Sequence, residues 1–532
     1  MDAPSLALTS ANLVTLDAKH PAGDTLLVRG ERIAVLGWAA DLRPEIAAAR
    51  QVVDLHGRTV LPGFIDAHVH MIGTGLAHFA VDLTEARTLD QALDSLRRAA
   101  GEGRAGEWVV GQGLAAGLLE GAVRRLPTRQ ELDSLAPHRP LFVGERTGHA
   151  CSANSLGLER LAVPPDLPGQ ERDGGGQPAG ILSAEANTLA SARLDEAFAE
   201  QIGYGQIVEA ACREALAAGL TTIHALDGTQ ASDDPGVRAL LEHGERAAPR
   251  VLVYYQTRDV QAALRLGLPR IGGCGACWVD GAFTPHTARL LEPYHDRPQE
   301  RGSLYFSDGE LLQFFRAAHR SGLQISVHCV GDGAVEQALG AFEAALGEPS
   351  PAGAEGSNRI PGGPHRHRRH RIEHAELITP EQLRRARRLG LALCIQPAFN
   401  HYWRHDRFYP RLLGEERAGR VDPVRSLVQA GLLVGGGSDS TVTPMRPLLG
   451  VHAAVNHSNP AERIDPEQAL RLFTLSAAGL AFEEQDKGSL STGKLADLAV
   501  LEANPLEVGP FELKDIPVWM TVVGGEVMYS AG

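Results

Sequence analysis

The chain opens and closes on short runs of β-forming apolar residues. Near the start, "SLALTSANLVTLD" and "TLLVRGERIAVLG" are separated by a turn containing Gly and Pro, which predicts strands and hairpins. Near the end, "DLAVLEA" and "VWMTVVGGEVMY" repeat the style, with Gly524-Gly525 as a hairpin turn. Strands at both ends, with helical patterns between, predict one small β domain built from the two termini.

The middle alternates apolar runs with capped helices. The predicted strands are "GLTTIHAL", "RVLVYYQ", "CWVDG", "LQISVHCVGD", "RIEHAEL", "LALCIQPAF" and "LLVGGGSDS". Ser307 with Glu310 forms a capping-box pattern, followed by Leu311, Phe315 and Ala318 on one helical face. Thr379-Pro380 with Gln382, Asp422-Pro423, and Asp465-Pro466 with Gln468 each place a cap residue before a proline in the first turn. This rhythm predicts an α/β fold, most economically a parallel barrel. Two segments break it: a long insertion at about 75–195, and 349–364, "PSPAGAEGSNRIPGGP", which reads as a surface loop. The expected division is a β-sandwich from 1–58 and 480–532 around a barrel at 59–479.

Composition adds exclusions. With 51 Lys plus Arg against 65 Asp plus Glu, the net charge is −14, which argues against a general nucleic-acid or anionic-membrane surface. The basic stretch "HRHRRHR" is short, has no interleaved aromatics and sits in this acidic chain, so no nucleic-acid partner is expected. No apolar stretch is long enough to span a membrane, and the N-terminus lacks a signal-peptide pattern, so a cytoplasmic location is expected. Cys151, Cys212, Cys274, Cys277, Cys329 and Cys394 form no dense disulfide framework. Cys274 and Cys277 make a C-x-x-C pair, but no second pair completes a four-sulfur site.

The strongest chemical signal is "VLPGFIDAHVHM". Alternate side chains of a strand share a face, so His68 and His70 can converge on one metal. A second H-x-H, His365 and His367, lies in "GGPHRHRRHR", where Gly, Pro and basic neighbours predict a solvated loop. His328 ends "LQISVHCVGD", His374 ends "HRIEHAEL" and Asp439 ends "LLVGGGSDS". Each is a polar group closing an apolar strand, where barrel enzymes carry their reactive residues. Unpartnered, such groups are costly to bury, and one divalent cation would satisfy all five.

These motifs resemble the amidohydrolase superfamily, specifically its amidohydrolase-3, YtcJ-like branch. "VVDLHGRTVLPGFIDAHVH" is similar to the family's approach to its first barrel strand, and "LPTRQELDSLAPHRPLFVGERTGHACSANSLGL" to its insertion. "VHCVGDGAVEQAL", "RHRIEHAEL", "CIQPAF", "GGGSDSTVTPMRPLLGVHAAV" and "GSLSTGKLADLAVLEANP" follow in the family's order. The resemblance implies a distorted (β/α)8 barrel with a small β-sandwich from both termini. It also implies metal ligation by His68, His70, His328, His374 and Asp439. Many relatives carry a bridging lysine four residues before the D-G of the fourth strand; here "ACWVDGAF" has Ala276 at that place. A single divalent ion, zinc being the expected one, is therefore favoured, with a second ion on Cys277 or Glu185 as the minority arrangement.

The chemistry so implied is hydrolysis of a C–N bond in an amide, formamide or cyclic amide. A metal-activated water would attack, Asp439 would act as general base and then acid, and His374 would assist as ligand and catalytic neighbour. His149 and Asn154 could line the substrate pocket or hold their loop. Gln396, Tyr402 and Trp403 could contact a small-molecule substrate or pack the wall. His224 reads as structural or pocket-lining, Asp332 as a second hydrogen-bond partner or loop anchor, and Asp280 with Gly281 as the fourth-strand turn. Cys329 should face away from His328. The alternative reading is a metal-stabilised barrel that binds a small molecule without turnover. A homodimer would be ordinary.

Overall fold

The computed structural model describes residues 3–17, 23–121, 123–146, 148–228, 233–244, 248–347, 368–403 and 408–532. The loop at 349–364 and the His365/His367 pair lie outside them. The chain divides into two units: residues 1–69, 212–439 and 445–532 form the first, and 70–211 with 440–444 the second.

The first unit contains eight parallel strands, β1 (Phe64–Val69), β2 (Leu220–Asp227), β3 (Arg250–Tyr255), β4 (Arg270–Trp278), β5 (Gln324–Cys329), β6 (Arg371–His374), β7 (Ala392–Ile395) and β8 (Leu433–Gly436). They neighbour one another in chain order. Nearly all their residues are buried, as expected of a parallel sheet covered by helices. The seam between the last strand and the first is made by the residues just after β8. The amide of Ser438 donates to Oδ1 of Asp66 (2.9 Å), and that of Asp439 to the carbonyl of His68 (2.8 Å). Gly437 is required there, because a Cβ would stand 2.6 Å from Cβ of His68.

The helix starts follow their sequence signals with one exception. Ser307, Thr379 and Asp465 each complete a capping box. Asp422 does not cap. The helix Val424–Gln429 has Pro423 at its cap position, and Asp422 is buried with φ 54°, its amide donating to the carbonyl of Glu376. The fourth strand also differs from the expected "CWVDG": it runs earlier, through the glycine-rich stretch "RIGGCGACW".

The β-sandwich pairs a four-stranded sheet (Arg32–Gly37, Thr25–Arg29, Leu6–Thr9, Gln51–Asp54) with a five-stranded one (Asn12–Leu13, Thr59–Pro62, Leu498–Leu501, Val518–Val523, Glu526–Ser530). Its core alternates along each strand: Leu6 and Leu8, Leu26 and Val28, Leu498 and Val500, Met520 and Val522. Gly524 and Gly525, both at positive φ, make the predicted hairpin turn. The sandwich continues past residue 58 through Thr59–Pro62, whose partner is Leu498–Leu501.

The second unit is built on a six-stranded mixed sheet, Gln170–Arg172, Pro178–Ser183, Ala150–Ala153, Leu141–Glu145, Val109–Leu114 and Val81–Asp82. It buries apolar residues on both faces. Val110, Phe142 and Leu182 join one core, while Val109, Leu141, Val143 and Ile181 join the other. Among the described residues no helix is long and apolar enough to cross a membrane, and all six cysteines are buried with none in a disulfide.

Candidate metal centre

Three histidines expected as ligands, His68, His328 and His374, converge in the first unit, on β1, β5 and the end of β6. The rings of His68 and His374 have centroids 5.0 Å apart, and those of His328 and His374 4.4 Å. Asp439 brings Oδ1 to 3.2 Å from Nε2 of His68. His70 is the first residue past β1. It belongs to the second unit, where it precedes the helix Met71–Ala77 and its amide donates to the carbonyl of Ser440.

Each of the three rings has its outer nitrogen held. Nδ1 of His68 meets Oε2 of Glu373 at 2.8 Å, Nε2 of His328 meets the carbonyl of Gly281 at 3.0 Å, and Nδ1 of His374 meets Oε1 of Gln396 at 2.7 Å. A carboxylate and a carbonyl can only accept, so the outer nitrogens carry the protons. The inner nitrogen of His68 meets Oδ1 of Asp439, and the inner nitrogens of His328 and His374 are left as acceptors.

At the centre of these inner nitrogens lies Sγ of Cys274, 3.3 Å from Nε2 of His68, 3.6 Å from Nδ1 of His328 and 3.7 Å from Nε2 of His374. Burial alone raises a thiol's pKa. The His68 charge and hydrogen bonds to the three rings outweigh it and hold Cys274 well below its ordinary value. Burial likewise opposes charge on His68, yet Cys274 and Asp439 hold that ring well above its ordinary value. Cys277, by contrast, donates to the carbonyl of Thr257 (3.6 Å) and is pushed up to about 12 by burial. Of the C-x-x-C pair, it is Cys274 whose sulfur faces the rings. Glu185 is exposed on the first turn of the helix Ala184–Ile202 in the second unit.

Behind the rings stands a charged layer that the sequence reading passed over. Arg371 and Glu373 alternate on β6, and both are fully buried. Arg371 donates through Nε and Nη2 to the two carboxylate oxygens of Glu373, each at 2.8 Å, and through Nη2 to the carbonyl of Ala67. Burial would raise the Glu373 carboxyl, but the Arg371 charge and His68 hold it down at about 2. Two charged residues spaced i, i+2 in an otherwise apolar strand were the available signal.

The left-handed backbone of His374 (φ 68°) and Ala375 (φ 51°) brings both Glu373 and His374 to one site, which strict alternation would forbid. Asp439 is left-handed too (φ 56°). Such conformations in non-glycine residues cost about 1–3 kcal/mol each and gather at functional sites.

The remaining candidates divide. Gln396 serves His374 directly, and its carbonyl oxygen is occupied there. Trp403 is buried edge-on against Phe399, whose ring stacks 6.0 Å from that of His374, so it packs the wall. Tyr402, on the same helix, is half-buried. Asn154 is fully spent on backbone. Oδ1 accepts from the amides of Leu141 and Gly157, and Nδ2 donates to the carbonyls of Ala136 and Arg139. That makes it a helix cap and loop anchor in the second unit. His149 precedes the strand Ala150–Ala153 and is half-buried. His224 is buried, with Nδ1 3.1 Å from Nη1 of Arg371, and holds the charged layer.

Asp280 accepts from the amides of Val330, Gly331 and Arg289 and lies 3.8 Å from Nε2 of His328. Burial pushes it up to about 6. Together Asp280 and Gly281 shape the turn and also fix the His328 ring. Asp332 accepts from the amide of Leu291 (2.8 Å) and so anchors that loop. Cys329 is buried, and burial holds its thiol well above the ordinary value.

The sequence profile of the amidohydrolase family matches residues 51–529. A Bacillus subtilis (strain 168) protein, YtcJ, provisionally assigned as an amidohydrolase, is 28% identical over 506 residues, covering 90% of each chain. The N-substituted formamide deformylase of Arthrobacter pascens is 28% identical over 563 residues, covering 99% of this chain and 98% of its own. Among solved structures, an uncharacterized metal-dependent hydrolase from Pyrococcus furiosus superposes with a TM-score of 0.74 at 28% identity, covering 94% of this chain and 100% of that one.

Proposed function

Because this chain belongs to the amidohydrolase family and is a hydrolase of carbon–nitrogen bonds, we propose that it cleaves an amide, formamide or cyclic amide of a small molecule, with Asp439 moving the proton. The supporting observation is the inward convergence of three imidazole nitrogens beside a buried carboxylate. His68, His328 and His374 would hold a divalent cation, with His70 as a further expected ligand. When bound, such an ion supplies Lewis acidity, lowering the pKa of a water from about 16 towards about 7.

Asp439, 6% exposed and 3.2 Å from His68, would accept the proton of the attacking water as its oxygen bonds to the carbonyl carbon. The same carboxyl would return that proton to nitrogen as the C–N bond breaks, releasing a carboxylic acid and an amine. Glu373, Gly281 and Gln396 keep the rings from turning during this cycle. Substrates of the formamide type have specific support in the full-length likeness to the Arthrobacter enzyme.

The test is Asp439→Asn, assayed for amine release from a panel of N-formyl amines, N-acyl amines and cyclic amides, alongside elemental analysis. The variant should keep its metal while turnover falls by about 10²–10⁴-fold. Unchanged turnover would remove Asp439 from the mechanism. A metal-loaded wild type inert on the whole panel would instead favour the binding-protein reading.

A further inference from the structure

We propose that Cys274 is a thiolate ligand of the metal, adding one sulfur to the histidine nitrogens, with His68 and His374 as the rings whose ligand atoms group with it. The inference rests on the metal-dependent reading above and deepens it, because a sulfur ligand narrows which ion the site takes.

The first observation is a proton count. A thiol has one hydrogen, and Sγ of Cys274 faces three ring nitrogens at 3.3, 3.6 and 3.7 Å. Their outer partners, a carboxylate, a backbone carbonyl and an amide oxygen, already take the ring protons. One S–H cannot serve both inner nitrogens of His328 and His374, and the ligand atoms of His68, Cys274 and His374 all lie within 4.8 Å of one another, close enough for one cation. The second observation is the spacing. A tetrahedral zinc site with Zn–S near 2.3 Å and Zn–N near 2.0–2.1 Å has sulfur-to-nitrogen edges of about 3.6 Å. The three distances bracket that value.

The third observation is the backbone that delivers the sulfur. Strand β4 pairs Gly273 with Val327 and next Trp278 with His328, so residues 274–277 are extra relative to β5. Gly272, Gly273 and Gly275 hold this bulge at φ 99°, 112° and 56°. A Cβ on Gly272 would fall 2.0 Å from the Ser326 carbonyl oxygen, and one on Gly273 2.7 Å from Leu226. Bulges of this kind re-aim a side chain. A cysteine has a single carbon beyond the backbone, so the strand itself must carry the sulfur inward, and this one does. Thiolate ligands favour zinc and other softer ions over magnesium, calcium or manganese, so the site should prefer the former.

The experiment uses the full chain, stripped with a chelator and reloaded with zinc or cobalt(II). X-ray absorption at the zinc edge of the wild type should require one sulfur at about 2.3 Å among nitrogen and oxygen neighbours; it needs no variant. The cobalt form should show a near-ultraviolet sulfur-to-cobalt charge-transfer band. That band should vanish in Cys274→Ser and persist in Cys277→Ser and Cys394→Ser. Bound metal with nitrogen and oxygen neighbours only, or a band that survives Cys274→Ser, would overturn the ligand assignment and leave the hydrolase reading standing. Failure of the wild type to take up either ion would bring down both.

Discussion

Replacing Glu373 with glutamine removes one charge while keeping the side chain's length. In the wild type the carboxylate accepts from Nε and Nη2 of Arg371, Nδ1 of His68 and Oγ of Ser326. A glutamine amide offers one acceptor oxygen and turns two N–H donors toward that circle of donors. Arg371 keeps its buried charge with no counter-charge, and breaking a buried pair this way costs about 3–5 kcal/mol.

The acidity of the carboxyl gives an independent figure. A fall from 4.5 to about 2 corresponds to about 3 kcal/mol in favour of the charged folded form. Because the folded value lies below the unfolded one, this stabilisation is complete above 4.5 and is lost as the pH falls from there through about 2. Glu373→Gln should therefore unfold at markedly lower urea than the wild type at neutral pH, with the gap narrowing in acid. His68 also loses the acceptor that fixes its ring, so zinc affinity should drop about 10–100-fold in chelator competition. Adding Arg371→Met should restore much of the stability, since the stranded charge is gone, without restoring the affinity. Equal unfolding midpoints and equal zinc affinity for Glu373→Gln and wild type would refute this account of the charged layer.

Two further substitutions separate structural from chemical roles. Asn154→Ala strips a helix cap, costing about 0.5–2 kcal/mol, and leaves the buried amide of Leu141 without its acceptor, about 1–3 kcal/mol more. Melting should fall while KM and kcat of the folded protein stay put; a raised KM with unchanged melting would restore a substrate role. Gly272→Ala should abolish zinc binding or folding, because its Cβ meets the Ser326 oxygen at 2.0 Å in a left-handed backbone. Normal zinc content in that variant would mean the bulge does not position Cys274.

His68, His328, His374 and Asp439 were readable because each is a polar residue closing an apolar strand. Cys274 was not, for a definite reason. The stretch "IGGCGAC" has too little side-chain volume to show the alternation by which strands are found, so the local pattern points to "CWVDG" instead. Arg371 and Glu373 were visible as a charged i, i+2 pair but lay in a stretch read for its histidine alone. Asp422-Pro423 imitates a helix start in composition. In the fold its backbone is left-handed and tied to Glu376, a tertiary demand that local pattern does not express. The run "TVLPGF" reads as one continuous approach to the barrel, yet its first four residues belong to the sandwich.

The seam at Gly437, Ser438 and Asp439 bears on how the protein is made. Asp66 and His68 leave the ribosome early, whereas the residues that clasp them are synthesised after nearly the whole barrel. A nascent chain halted before Leu433 would already carry His68, Cys274, His328 and His374, yet its first strand would have no neighbour on that side. The clasp on the first strand therefore forms only after every one of these side chains is already in the chain.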